Sequence, residues 1–305
     1  PDANDYFKFG KCLIIDEIHS LVNSKRGDLL SLNLSRLDTI VPTYRKVGLS
    51  ATVKNTNSVL SFLSKNKKSI TLNVEEKSFP NIEILKTDNR VPWSGHMAGY
   101  AIKEIYKKIQ NSTMSIVFVN TRAQAELIFN KLWHENEINL KIAVHHGSLE
   151  KEIRRKVENM MSLGQLDCVV ATSSLDLGID WGNVNLVIQI GSPKGIARFL
   201  QRIGRSNHRL NEPSKAILVP SNRFEYLECV STISSIKEKI LDETKDKEGS
   251  LDVLAQHILG VACSKPFEVN ELFVEIKNSW PYRNLQMGKF LEVLEFVKNG
   301  GYSLK

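Results

Sequence analysis

Asp16 and Glu17 stand side by side after four apolar residues, Cys12, Leu13, Ile14 and Ile15, and His19 follows shortly after. Two carboxylates at the tip of a buried strand can hold Mg²⁺ through water and polarise an attacking water. Burial at a strand end favours such charges only where a cation or a partner compensates them. Far downstream the chain reads Gln201, Arg202, Ile203, Gly204, Arg205, and an arginine set after a glycine can reach a phosphoryl group. These residue types imply ATP-driven chemistry.

Other polar groups fall where a strand ends. Ser50 and Thr52 close the next strand, where their hydroxyls either bond the acids or His19 or simply cap the helix that follows. Asn120, Thr121 and Arg122 lie between a buried strand and a helix, with Thr121 at the N-cap, and His145, His146, Gly147 and Ser148 repeat the arrangement one unit later. Helix N-termini present unpaired N–H groups to anions, so this succession suits consecutive phosphates of a nucleic-acid strand; ordinary capping explains each alone. The vicinal histidines have no third ligand at a spacing that suits a metal. Thr172, Gly178 and Asp180 follow the strand Cys168 to Ala171, Gly178 permitting a tight backbone and Asp180 offering a carboxylate. Arg198, Arg202, Arg205 and Arg209 make a positive field on a helix starting near Gly195. Lys103, Lys107, Lys108, Arg154, Arg155 and Lys156 read as solvated helix faces.

The elements that position these groups alternate. Strand Lys11 to Ile15, helix Asp28 to Ile40 with Leu29, Leu32 and Leu37 on one side, and strand Lys46 to Leu49 give a parallel α/β start. A helix near Thr56 to Lys65 follows, and Ser69 to Thr87 reads as strand, turn at Pro80, strand. Then come helix His96 to Gln110, strand Ser115 to Val119, helix Ala123 to Trp133, strand Lys141 to Val144, helix Leu149 to Leu163, and strands Cys168 to Ala171, Val184 to Ile190 and Ala216 to Pro220. Such regularity predicts a doubly wound sheet with ligands at the carboxyl ends of its strands. A helix from Phe224 to about Leu241 leads to the charged linker Asp242 to Gly249. Three amphipathic patterns, Leu251 to Cys263, Val269 to Lys277 and Met287 to Lys298, suit a winged-helix unit or any small helical bundle. The expected domains are 1–79, 80–241 and 242–305.

With 305 residues, 42% hydrophobic and 25% charged, the composition is that of a globular protein, and the net charge of +7 favours an anionic partner. Cys12, Cys168, Cys229 and Cys263 are too scattered for a disulfide framework or a metal pair, and buried thiols in a reducing cytoplasm are expected. No apolar run reaches membrane-spanning length, so no membrane partner is expected.

Read in order, these segments resemble the motifs of superfamily-2 helicases of the DExH kind: DEIH at Asp16 to His19, SAT at Ser50 to Thr52, FVNTR at Phe118 to Arg122, ATSSLDLGID at Ala171 to Asp180 and QRIGR at Gln201 to Arg205. The finer text, such as VHHGSLEKEIRRKVE and LDVLAQHILGVAC, is similar to the Lhr (large helicase-related) family, and LNEPSKAILVPSNRFEYLEC to its bacterial branch associated with DNA ligase. The resemblance implies an α/β fold of tandem RecA-like lobes, the first incomplete, with ATP between them, followed by part of a winged-helix domain. It implies that Asp16 holds Mg²⁺ through water, that Glu17 polarises water, and that His19, Ser50 and Thr52 couple that site to the nucleic-acid surface. Arg205 becomes the arginine finger and Gln201 a contact of the γ-phosphate region, while Gly178, Asp180, Arg202 and His208 fall to ATP binding. Asn120, Thr121, Arg122, His146, Gly147, Ser148 and Thr172 fall to the nucleic acid. Partners implied are single-stranded DNA or an RNA:DNA hybrid, with a DNA ligase or nuclease beside them, in DNA repair.

Many relatives carry a second arginine where this chain has His208. No glycine-rich phosphate loop precedes the acidic strand, so the resemblance implies a longer parent, and these residues alone are expected neither to bind ATP well nor to hydrolyse it. The competing expectations are a split-gene remnant that binds nucleic acid passively, and an RNA helicase.

Overall fold

The computed structural model describes residues 3–41, 43–50, 55–64, 69–73, 79–95, 97–176, 184–206, 213–240 and 247–300. The chain forms two compact units, one made of Pro1–Asn73 with Glu243–Lys305, the other of Val74–Asp242.

In the first unit, helix α1 (Ala3–Phe7) precedes strand β1 (Cys12–Ile15), short helix α2 (Ile18–Leu21), helix α3 (Lys25–Ile40), strand β2 (Arg45–Gly48) and helix α4 (Thr56–Leu63). β1 and β2 pair in parallel, Cys12 opposite Arg45 through Ile15 opposite Gly48. Ile15 and Ile18 are buried with Leu34 and Phe62, so the end of β1 sits over one side of α3. The strand is less enclosed than its apolar text suggests: Ile14 is 62% exposed and Cys12 is also exposed, so the buried thiols are Cys168 and Cys229 alone. α2 occupies the polar stretch between β1 and α3.

α3 is buried on a second side as well. Leu32 joins Val253, Leu254, Leu272, Ile276 and Phe290, residues of the three C-terminal helices described below. Polar ties follow the same seam, from Ser250 N–H to Asp28 Oδ2 at 3.0 Å and from Lys25 Nζ to Asp252 Oδ2 at 2.6 Å. Segments 1–73 and 243–305 therefore share a core although they lie far apart in sequence.

The second unit holds β3 (Asn81–Ile84), α5 (Ile102–Gln110), β4 (Ser115–Phe118), α6 (Arg122–His134), β5 (Ile142–His145), α7 (Lys151–Ser162), β6 (Cys168–Ala171), β7 (Leu186–Ile190), α8 (Ile196–Ile203), β8 (Lys215–Val219) and α9 (Arg223–Lys237). The sheet has six strands in the order β3-β8-β7-β4-β6-β5, and every pairing is parallel. Parallel strands need covered faces, and β4 and β6 are buried at every position. The α/β class and its doubly wound sheet are as the alternation predicts. The chain reverses its winding around β4, which has β6 on one side and β7 on the other, the place where such sheets open a crevice. Of the strand, turn, strand expected over Ser69 to Thr87, only β3 forms among the described residues; 69–73 is irregular.

The last elements return to the first unit: α10 (Leu251–Ser264), α11 (Val269–Asn278) and α12 (Met287–Asn299). No helix among the described residues is long and apolar enough to cross a membrane.

Candidate functional site

The acidic pair is built by the joint between β1 and β2. Leu49 N–H donates to Ile15 O at 2.9 Å and Ile18 N–H to Leu49 O at 3.0 Å, which pins the carboxyl ends of both strands together. Asp16 Oδ1 accepts the N–H of Glu17 at 2.9 Å. Glu17 takes a left-handed backbone, φ 49° and ψ 39°, a conformation that costs a side-chain-bearing residue about 1–2 kcal/mol. Such strain persists where surrounding structure enforces it, and functional sites are where it collects. Past this bend, His19 bridges two groups. Its Nε2 lies 3.4 Å from Glu17 Oε2, and its Nδ1 shares a 3.2 Å hydrogen bond with Ser50 Oγ. The expected tie between Ser50 and His19 is thus present, whereas Thr52 lies outside the described residues.

Asp16 is exposed. Among the described residues no group of three or more His, Cys, Asp or Glu is placed to hold a metal. One exposed carboxylate suits Mg²⁺, which keeps several waters and takes few protein ligands beside phosphate oxygens.

In the second unit the loops after β4, β6 and β5 lie side by side, because these strands are neighbours about 4.8 Å apart. Thr121 Oγ1 accepts from Gln124 N–H at 3.2 Å and caps α6. Asn120 is turned into the unit: its Nδ2 donates to Ser192 O at 2.9 Å and its N–H to Gln124 Oε1 at 3.1 Å. Arg122, the first residue of α6, is exposed, and Thr172 is 8% exposed at the end of β6.

The loop after β5 differs from its expected form. α7 begins at Lys151 behind Glu150, so His146 to Ser148 do not cap it. His146 is 5% exposed, its Nε2 2.7 Å from Glu126 Oε1 and its Nδ1 accepting from Ser148 N–H at 3.3 Å. It is a buried brace between this loop and α6 rather than a group offered to a strand; Gly147 and Ser148 stay exposed. His145, 1% exposed, sits between Ser174 Oγ at 2.8 Å and Glu158 Oε1 at 3.1 Å. Burial lowers its pKa, with Glu158 opposing the shift.

α8 carries the arginines, and it turns one of them inward. Arg202 is 3% exposed, with Nε donating to Asp176 Oδ1 at 2.7 Å and one terminal nitrogen to Gln189 Oε1 at 2.6 Å. Its guanidinium lies 4.6 Å from the centre of the Phe118 ring. Arg202, expected to bind ATP, shares the buried face of α8 with Phe199 and Ile203 and spends its guanidinium on these interior partners. Asp176 gathers the helix, since Arg198 Nε lies 3.6 Å from its Oδ2 and Arg205 donates to its main-chain oxygen at 3.1 Å. Arg205 and Gln201 are partly exposed. Gly178, Asp180 and His208 lie outside the described residues.

Asp176, Gln189, Glu126 and Glu158 are structural partners of the site whose part in it no motif marks. For Arg202 a signal existed: Phe199, Arg202 and Ile203 follow the three-and-four spacing of a helix face. Glu126 and Glu158 are non-local partners that no local spacing reveals.

Residues 99–210 match the family described as Helicase conserved C-terminal domain, and residues 234–305 match Large helicase-related protein, winged helix domain. The chain is 36% identical over 307 residues to the ATP-dependent helicase Lhr-Core of Methanothermobacter thermautotrophicus, covering 97% of this chain and 36% of that protein. It is 33% identical over 306 residues to ATP-dependent helicase Lhr-Core protein 2 of Thermococcus barophilus, again covering 97% and 36%. A solved structure of the Mycobacterium smegmatis helicase Lhr bound to ssDNA and AMP-PNP matches with a TM-score of 0.86 at 33% identity, covering 97% of this chain and 40% of that one. The chain therefore spans well under half the length of these relatives.

Proposed function

Since the chain belongs to the large helicase-related family of superfamily-2 helicases, we propose that it is part of an ATP-dependent DNA helicase that translocates on single-stranded DNA. The observation that carries this reading is the chain of contacts from Glu17 through His19 to Ser50, which joins an acid at the end of β1 to the segment after β2. Glu17 orients and polarises the attacking water. Asp16 would hold Mg²⁺ through water, and the ion would supply neutralisation of phosphate charge. A change at Ser50 reaches Glu17 by moving His19.

In the second unit Arg205 stabilises charge on the transferred phosphoryl group and Gln201 contacts its surroundings, with Gly178, Asp180 and His208 on the nucleotide. Asp176 aids Arg205 by fixing its backbone oxygen as an acceptor. Arg122, Thr121 and Thr172, with the exposed Gly147 and Ser148, grip successive phosphates of the strand. Asn120 holds that loop in shape. Such contacts read neither base nor sugar and release counterions, so binding is salt-sensitive.

The same reading covers a cytoplasmic role in DNA repair beside a DNA ligase or nuclease, supported by the run from Leu210 to Cys229. The test is ATP turnover by the full-length protein with and without single-stranded DNA. Stimulation by the strand supports the proposal; turnover indifferent to DNA contradicts it.

A further inference from the structure

Trp93 is 68% exposed, yet the segment that carries it is firmly anchored. Arg223 N–H donates to Pro92 O at 3.0 Å, Arg223 Nε to Val91 O at 3.3 Å, and Asn222 Nδ2 to Gly95 O at 3.0 Å. Gly95 makes the bend at φ 120°, a backbone conformation that side-chain-bearing residues rarely adopt. The Arg223 guanidinium lies 4.1 Å from the centre of the Trp93 indole, held there by its own bond to Val91. One indole face is thus backed by a fixed cation, and the large residual exposure leaves room for a flat ligand on the other. Phe224, 69% exposed, follows Arg223 in the chain.

The anchor is the N-terminus of α9, which follows β8 after Pro220 to Asn222, so Trp93 stands at the carboxyl edge of the sheet. That edge also carries Arg122 and Thr172. β8 is separated from β4 by β7 alone, which sets the ends of β8 and β4 about 10 Å apart. This is one to two nucleotides along an extended strand.

We propose that Trp93, backed by Arg223, is a base-stacking platform for single-stranded DNA, a contact added to the phosphate grips and resting on the function proposed above. Exposed aromatic faces bind bases of any sequence, and a cation behind the ring adds attraction for the anionic strand. A platform of this kind suits a translocating protein, since it reads no sequence.

The test is fluorescence anisotropy of the full-length protein with a labelled mixed-sequence single strand, intact or carrying one abasic site stepped along it. Trp93→Ala is expected to weaken binding about tenfold or more, and Trp93→Phe less than about threefold. One abasic position should weaken the wild type equally and Trp93→Ala no further. If Arg122→Ala weakens binding while Trp93→Ala and every abasic position leave it unchanged, the stacking proposal is overturned and the phosphate reading stands. If the wild type binds the strand equally at low and high salt and Arg122→Ala changes nothing, the underlying reading fails and this proposal falls with it. Since Trp93 is mostly exposed, the Trp93→Ala melting curve should match the wild type, so lost binding reports the lost ring.

Discussion

Replacing Arg202 by methionine keeps the side chain long and removes its charge. In the fold that guanidinium donates to Asp176 at 2.7 and 3.3 Å and to Gln189 at 2.6 Å, and covers Phe118. The variant leaves Asp176, 6% exposed, facing Arg198 at 3.6 Å, a side chain that is itself 51% exposed. Breaking a buried ion pair from one side costs about 3–5 kcal/mol, and the screened Arg198 offsets part of that, so about 3 kcal/mol is expected. Hydrogen exchange reads this locally: the amides of β4 and β7, which flank the pair, should lose protection about 100-fold. Adding Asp176→Leu removes the stranded charge and should restore most of the protection. If protection instead stays within about fivefold of the wild type and ATP affinity drops, then Arg202 faces the nucleotide and its assignment to the interior is wrong.

Arg205→Ala in the full-length protein should lower ATP turnover about 10³-fold or more while single-strand affinity stays within about twofold; parallel losses of both, measured by steady-state assay and anisotropy, would instead mark a structural role through Asp176. Gly27→Ala should destabilise the first unit by about 3 kcal/mol in urea denaturation, because a Cβ there would lie 1.9 Å from Leu21 O and the backbone must move; an unchanged midpoint refutes the close approach. His257, 5% exposed, has its pKa pushed down to about 4, chiefly by burial and then by Arg36. Between pH 6.5 and about 4 the unfolded chain takes up a proton that the folded one does not, so stability falls with pH by up to about 3 kcal/mol. His257→Leu should flatten that slope, and an equally steep slope in the variant would assign it to other groups.

Periodicity carried most of the elements. Strands β4 and β6 are short apolar runs bounded by polar loops, and α10 to α12 lie within a residue or so of their amphipathic patterns. What local pattern missed depends on distant partners. α2 is a single turn, too short for a period to show. Of the stripe Leu29, Leu32 and Leu37 on α3, Leu29 and Leu32 do share one core, but its partners come from 243–305, far along the chain, and Leu34, outside the stripe, enters a second core. At the candidate site the residue types after each strand were legible, and so was the contact between His19 and Ser50. The left-handed turn at Glu17 was not, since a glutamate there goes against local preference and is enforced by the joint of β1 and β2. The burial of His146 is not legible in its local pattern, because Glu126, which draws it inward, lies on the preceding helix with β5 between them.

The most direct measurement is DNA-stimulated ATP turnover by full-length Glu17→Gln, a change that keeps size and removes the charge needed to polarise water. The account expects a loss of about 10²-fold or more with single-strand binding intact. Turnover equal to the wild type would contradict it, because the acid at the end of β1 would then have no part in hydrolysis.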